Sequence, residues 1–243
     1  NPIGHSLSPL VHNYWMKKYH LLDCVYEKRK VEEKNLKDII KEIRDGKIVG
    51  VNVTIPFKKL IIPFLDELHI TAKETESVNT LFKVKNRVVG YNTDESGFAL
   101  TMREFFSDLK DRKIPLSLER KNIFILGAGG VTSSIIYALE HKGARIFLSN
   151  RTKKKAIELK KKYTKIEVLD WGKRPSVCDI VINTTSIGLI KDEKIDIDFS
   201  DCNGDKNKLF YDLIYNPKET NFLKEARLRG NNTMNGQRMF LNQ

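Results

Sequence analysis

Lys58 closes the β-branched run Val53-Thr54-Ile55-Pro56-Phe57, and Asp94 follows Gly90-Tyr91-Asn92-Thr93. Each places a proton-active side chain just beyond a short β-rich stretch. A carbonyl being reduced takes up a proton as well as a hydride, and a paired cation and carboxylate can supply and hold that proton. Downstream, Ile123-Phe124-Ile125-Leu126 runs into Gly127-Ala128-Gly129-Gly130. A strand entering a glycine-rich turn is the usual cradle for a dinucleotide pyrophosphate. An acid–base pair plus a dinucleotide site points to a dehydrogenase.

The surrounding pattern predicts the elements that position these residues. Residues 8–18 read as a helix with Pro9 in its first turn and Ser8 as its cap. Residues 24–28 read as a strand, and 32–45 as a helix with Leu36, Ile39, Ile40 and Ile43 at helical spacing. A short strand is expected over 48–54, and neighbouring strands over 78–82 and 88–91 around Lys85-Asn86. A long helix over 95–106 joins the two halves, and a polar, lysine-rich stretch over 108–121 follows. The second half then alternates strands (122–126, 144–149, 179–183, 209–212) with helices (131–142, 153–162). That alternation implies a parallel, doubly wound sheet with right-handed crossovers. The expected fold is α/β in two domains with a cleft between them. Residues 1–93, with 235–243 returning to them, form a substrate-binding and catalytic domain. Residues 94–234 form a Rossmann-like dinucleotide domain.

Composition narrows the function classes. The chain has 243 residues, 40% hydrophobic and 30% charged, as in a soluble globular protein. No apolar run reaches about 18 residues, so no membrane span is expected. Cys24, Cys178 and Cys202 lack metal-ligand spacing and suit a reducing cytoplasm. With no HExxH, CxxC or carboxylate cluster, no metal site is expected. The net charge of +12 raises nucleic-acid binding. Against it, lysines are dispersed and greatly outnumber arginines, and aromatics do not interleave with the basic runs. The charge reads instead as solvated, lysine-rich helix faces. The chain opens without methionine and already inside a motif, and it looks trimmed at both ends.

The order of motifs resembles the shikimate dehydrogenase family along nearly the whole chain. The matching segments begin with NPIGHSLSPLVHN (1–13), NVTIPFKK (52–59), ESVNTL (76–81), GYNTDESG (90–97) and GAGGVTSS (127–134). They continue with SNRT (149–152), INTTSIGL (182–189), DLIYNPKET (212–220) and NGQRMFLNQ (235–243). The resemblance implies that Lys58 and Asp94 are the catalytic pair. It implies that Ser6 and Ser8 bind the substrate carboxylate, where a helix N-terminus also favours an anion. Thr54, Asn79, Tyr215 and Gln243 match the family's other substrate contacts.

For the cofactor, the resemblance implies NADP, held by Gly127, Ala128, Gly129 and Gly130 at the pyrophosphate. Thr185, Leu189, Gly236 and Met239 match positions near the nicotinamide. The chain departs from the family in carrying Ser133 where relatives often have arginine or lysine, and Leu189 where the family motif has methionine. Thr132 stands at the third glycine position of the common fingerprint. A fold that binds NAD places Asp or Glu about 20 residues past the glycine turn. Here Asn150, Arg151 and Thr152 stand there, which favours a 2′-phosphate. The implied activity is NADPH-dependent reduction of 3-dehydroshikimate to shikimate in chorismate and aromatic amino acid biosynthesis, by a cytoplasmic monomer or homodimer. The alternatives are a quinate/shikimate dehydrogenase using NAD, and a catalytically silent dinucleotide-binding or RNA-associated protein.

Overall fold

The computed structural model describes residues 4, 6–21, 23–108, 118–140, 142–190, 192–202 and 208–243. Residues 1–3 and His5 of the opening motif, 109–117 of the polar stretch, and His141 lie outside them.

Helix α1 (Ser8–Lys18) opens the fold, and α2 (Leu36–Arg44) follows after an extended segment. The apolar spacing of α2 is realised: Leu36, Ile39, Ile40 and Ile43 are all buried. They pack onto a small sheet whose elements run β1 (Gly50–Asn52), α3 (Phe57–Leu60), β2 (Glu67–Leu68), α4 (Ile70–Thr75), β3 (Thr80–Val84) and β4 (Arg87–Tyr91). The strand order is β1-β3-β4-β2. β3 lies antiparallel to β1 and β4, and β2 parallel to β4.

The second half begins with α5 (Asp94–Asp108) and continues through β5 (Asn122–Leu126), α6 (Thr132–Glu140), β6 (Arg145–Ser149), α7 (Lys153–Lys162) and β7 (Glu167–Leu169). It is completed by β8 (Ile180–Asn183), β9 (Leu209–Asp212), α8 (Asn221–Leu228), β10 (Asn232–Met234) and α9 (Gln237–Asn242). Six strands form one sheet in the order β10-β9-β8-β5-β6-β7, every pair parallel. β8 and β9 are buried at every residue, as central parallel strands covered on both faces must be. Phe98, Met102 and Phe106 of α5 share a core cluster with Met239 of α9. Asn242 donates to Thr101 Oγ1 and Glu104 Oε2, so the C-terminal residues return to α5.

Three expectations need correction. Residues 24–28 form no strand. Both backbone bonds of Tyr26 go to one side chain, Asn13, which accepts from its N–H at 2.8 Å and donates to its carbonyl at 2.9 Å. Ser8 does not cap α1; Leu7 holds the N-cap position, and the Ser8 N–H instead donates to Ser6 Oγ at 3.3 Å. The strand expected over 48–54 shrinks to Gly50–Asn52; Val53 N–H still donates to Asn79 O at 2.7 Å, and the chain turns at Ile55-Pro56 into α3. No helix among the described residues is long and apolar enough to cross a membrane.

Candidate active site

Lys58 lies in the short α3, delivered by a turn in which Phe57 N–H donates to Thr54 O. Asp94 is the first residue of α5, directly after the Asn92-Thr93 link that follows β4. Their side chains meet across 36 residues, Lys58 Nζ donating to Asp94 Oδ2 at 2.5 Å. The pair is well shielded, with Lys58 12% and Asp94 2% exposed. A cation and carboxylate removed from water interact strongly, so each fixes the other's position.

Asn79, immediately before β3, completes the group. Its Nδ2 donates to Asp94 Oδ1 and Thr93 Oγ1, each at 2.9 Å, and its Oδ1 accepts from Thr93 N–H at 3.0 Å. The carboxylate is thus held by an ammonium on one oxygen and an amide on the other. Lys58 can give a proton to an oxygen presented at the mouth while Asp94 retains the compensating charge.

The glycine turn sits on the other side of the same space. A Cβ built on Gly130 would stand 3.5 Å from the Lys58 stem. Gly127 has φ +106°, and a Cβ there would stand 2.6 Å from Thr184 Oγ1, so only glycine fits. At Gly129 a Cβ would meet nothing within 4 Å, which leaves room for a phosphate against the backbone. Asn150 Oδ1 accepts from Ala128 N–H, tying the ends of β5 and β6 together. This open cradle at the N-terminus of α6 fits a dinucleotide pyrophosphate.

The remaining candidates divide by position. Ser6 and Ser8 are joined by a 3.1 Å hydrogen bond between hydroxyls. Thr54 is exposed beside Lys58. Arg151 and Thr152 are exposed before α7, where Lys153 pairs with Asp170 at 2.6 Å, a carboxylate the local sequence does not contain. Thr185 turns inward, its hydroxyl donating to Asn183 Oδ1 at 2.7 Å. Leu189 is exposed and Met239 buried. Gly236 passes so close to Leu213 O that a Cβ there would overlap it. Tyr215 stacks on Phe240 at 4.6 Å, and Gln243 lies against Gly97 in the first turn of α5. Among the described residues, no hydrogen bond joins Tyr215 or Gln243 to Lys58 or Asp94.

Sequence reasoning missed Asn92 and Ser77. Asn92 is buried and donates to Thr75 Oγ1, Ser77 O and, across the cleft floor, Ser134 Oγ of α6 at 2.9 Å. Its Oδ1 accepts from Asp94 N–H, which orients the start of α5. Ser77 Oγ donates to Gly130 O at 3.0 Å. Their presence inside ESVNTL and GYNTD was the available signal, hidden because both motifs also contain more reactive residues.

A model of the shikimate dehydrogenase substrate binding domain matches residues 1–81. A shikimate / quinate 5-dehydrogenase model matches residues 108–222. The shikimate dehydrogenase (NADP(+)) of Pelagibacter ubique is 48% identical over 100% of this chain and 87% of its own length. The chain belongs to the shikimate dehydrogenase family. The crystal structure of the Aquifex aeolicus shikimate dehydrogenase superposes with a TM-score of 0.84 at 36% identity, covering 99% of this chain and 85% of that one. A shikimate dehydrogenase solved in complex with NADP+ gives the same TM-score at 33% identity, over 100% of this chain and 84% of its own. The small mixed sheet and the six-stranded parallel sheet are therefore the two-domain α/β fold of shikimate dehydrogenases.

Proposed function

We propose that the chain reduces 3-dehydroshikimate to shikimate with NADPH, residues 1–93 and 235–243 binding the substrate and 94–234 the cofactor. The observation that carries this reading is the shielded Lys58–Asp94 pair placed against Gly130 of the glycine turn. NADPH supplies the hydride. Lys58 donates the proton to the carbonyl oxygen as that oxygen becomes a hydroxyl, and Asp94 holds the lysine and orients the hydroxyl. Ser6 and Ser8 take the carboxylate, while Thr54, Asn79, Tyr215 and Gln243 meet the polar groups of the ring. Arg151, Thr152 and Asn150 take the 2′-phosphate, and Thr185, Leu189, Gly236 and Met239 border the nicotinamide.

The test is NADPH oxidation, followed at its absorbance, with 3-dehydroshikimate as substrate. Turnover that is absent with this pair but present with quinate and NAD replaces the reading by the quinate one. No turnover with either pair leaves the silent dinucleotide-binding module.

A further inference from the structure

The chain leaving β8 starts against the glycine turn: a Cβ on Gly127 would stand 2.6 Å from Thr184 Oγ1 and 2.9 Å from Thr185 Cγ2. Residues 184–190 then form neither helix nor strand, yet side chains hold their backbone at both ends. At the near end the buried Asn183 accepts from Thr185 N–H at 3.0 Å and donates to Ile187 O at 3.1 Å. At the far end a single oxygen, Glu193 Oε2, accepts from Gly188 N–H at 3.0 Å and from Ile190 N–H at 3.3 Å. Those two donors flank Leu189, whose own N–H donates to Ser186 O at 3.1 Å and whose side chain stays 43% exposed. Hydrogen bonds to a carboxylate are stronger than those to a neutral acceptor. Glu193 is itself anchored, its carbonyl accepting from Asn221 Nδ2 at the start of α8 at 3.0 Å. Behind the loop, Gly188 has φ +113°, and a Cβ there would stand 3.0 Å from Thr220 Cγ2. Thr220 caps α8 and donates to the buried Asp212 at 2.6 Å. The loop is thus backed by Thr220 and tied by Glu193, with the Leu189 side chain left outside.

We propose that Glu193 is a positioning residue for the nicotinamide end of the cofactor, fixing the backbone on either side of Leu189 so that its side chain is in place before the ring arrives. Glu193 acts through Leu189 rather than by contact with the ring. Without its two bonds, cofactor binding would also have to order the loop, and affinity falls by that cost. The inference rests on the proposed cofactor site, in which Leu189 borders the nicotinamide.

Binding to the full chain is measured with two probes, NADP and adenosine 2′,5′-bisphosphate, which carries the adenosine and 2′-phosphate but no nicotinamide. Binding of NADP by the wild type secures the underlying reading, and its absence ends both. With binding established, Glu193→Ala raises Kd for NADP by about 3- to 10-fold, the effect of one hydrogen bond. It leaves Kd for the bisphosphate within about twofold. Glu193→Gln keeps an oxygen able to accept both N–H bonds and stays within about twofold of the wild type for both probes. In a Leu189→Ala background, Glu193→Ala adds less than about twofold, because its route to the ring is gone. An unchanged Kd for NADP, an equal rise for the bisphosphate, a loss in Glu193→Gln as large as in Glu193→Ala, or an undiminished effect in the Leu189→Ala background overturns the Glu193 role while the cofactor reading stands.

Discussion

The stem of Lys58 lies 3.5 Å from where a Cβ on Gly130 would stand, so the proton-bearing residue of the first half faces the glycine turn of the second. Ser77 makes the same junction by donating to Gly130 O, and Val78 N–H donates to Lys58 O. Lys58 is therefore positioned by both halves. Lys58→Ala should lower kcat by about 10²–10⁴-fold, the typical contribution of a positioned general acid. KM for shikimate should change little, because the proton matters in the transition state. Steady-state kinetics check this, and a near-normal kcat with a much raised KM would reassign Lys58 to ground-state binding. Asp94→Asn should also be slow, since it removes the charge but keeps the shape.

Ser6→Ala and Ser8→Ala should each raise KM for shikimate by an amount worth about 0.5–1.5 kcal/mol. Since Leu7 holds the N-cap position and Ser8 makes no cap bond, Ser8→Ala should not incur the usual capping loss of about 1 kcal/mol. Thermal unfolding separates the two effects. An analogue without the carboxylate should be insensitive to both substitutions.

Two glycines of one turn should fail differently. Gly127→Ala forces a side chain into φ +106° and onto Thr184, at a cost of at least about 1–3 kcal/mol. Gly129→Ala meets nothing and should fold normally, but its methyl occupies the space open to a phosphate. The expected result is a lowered Tm for the first and a raised KM for NADP at unchanged Tm for the second. Equal Tm losses would refute the assignment of Gly129 to the cofactor.

Arg151 is exposed at the mouth of α7, while Lys153 is engaged by Asp170. Charge-assisted hydrogen bonds contribute about 1.5–3 kcal/mol, so NADP should be preferred over NAD by at least about tenfold. Arg151→Ala should erode that preference and leave NAD use nearly unchanged. Equal kcat/KM for the two cofactors in the wild type would return the quinate reading.

Asp212 gives a pH signature. It is buried, and its hydrogen-bond donors, Thr220 Oγ1, Ile214 N–H and Asn183 Nδ2, are all neutral. Burial pushes its carboxyl up from 3.8 to about 6. Between those values the folded chain holds a proton that the unfolded chain releases. The stability from this group is thus full below the unfolded value, falls as pH rises to about 6 and is then level. The gap corresponds to roughly 3 kcal/mol. Asp212→Asn removes the titration, so its unfolding free energy relative to wild type should rise by up to that amount between about pH 4 and pH 7. Urea unfolding at both values checks this, and a constant difference would mean that Asp212 titrates alike in both states.

Local chemistry made much of this protein legible before folding. The apolar spacing of α2, the run into Gly127-Ala128-Gly129-Gly130 and the long helix after Asp94 are properties of neighbouring residues, and each appears as expected. Two- and three-residue strands such as β2 and β10 carry too little pattern to be read, because partner strands decide whether they pair. Residues 24–28 have strand-like composition, but a side-chain amide 13 residues earlier takes the backbone bonds of Tyr26. That Lys58 and Asp94 matter could be inferred from their motifs. That Asn79 shares the Asp94 carboxylate, that Asn92 spans both halves, and that Asp170 engages Lys153 are decided by tertiary structure alone. A hydrogen bond needs its two atoms about 3 Å apart, and only the folded backbone brings residues so distant along the chain within that reach.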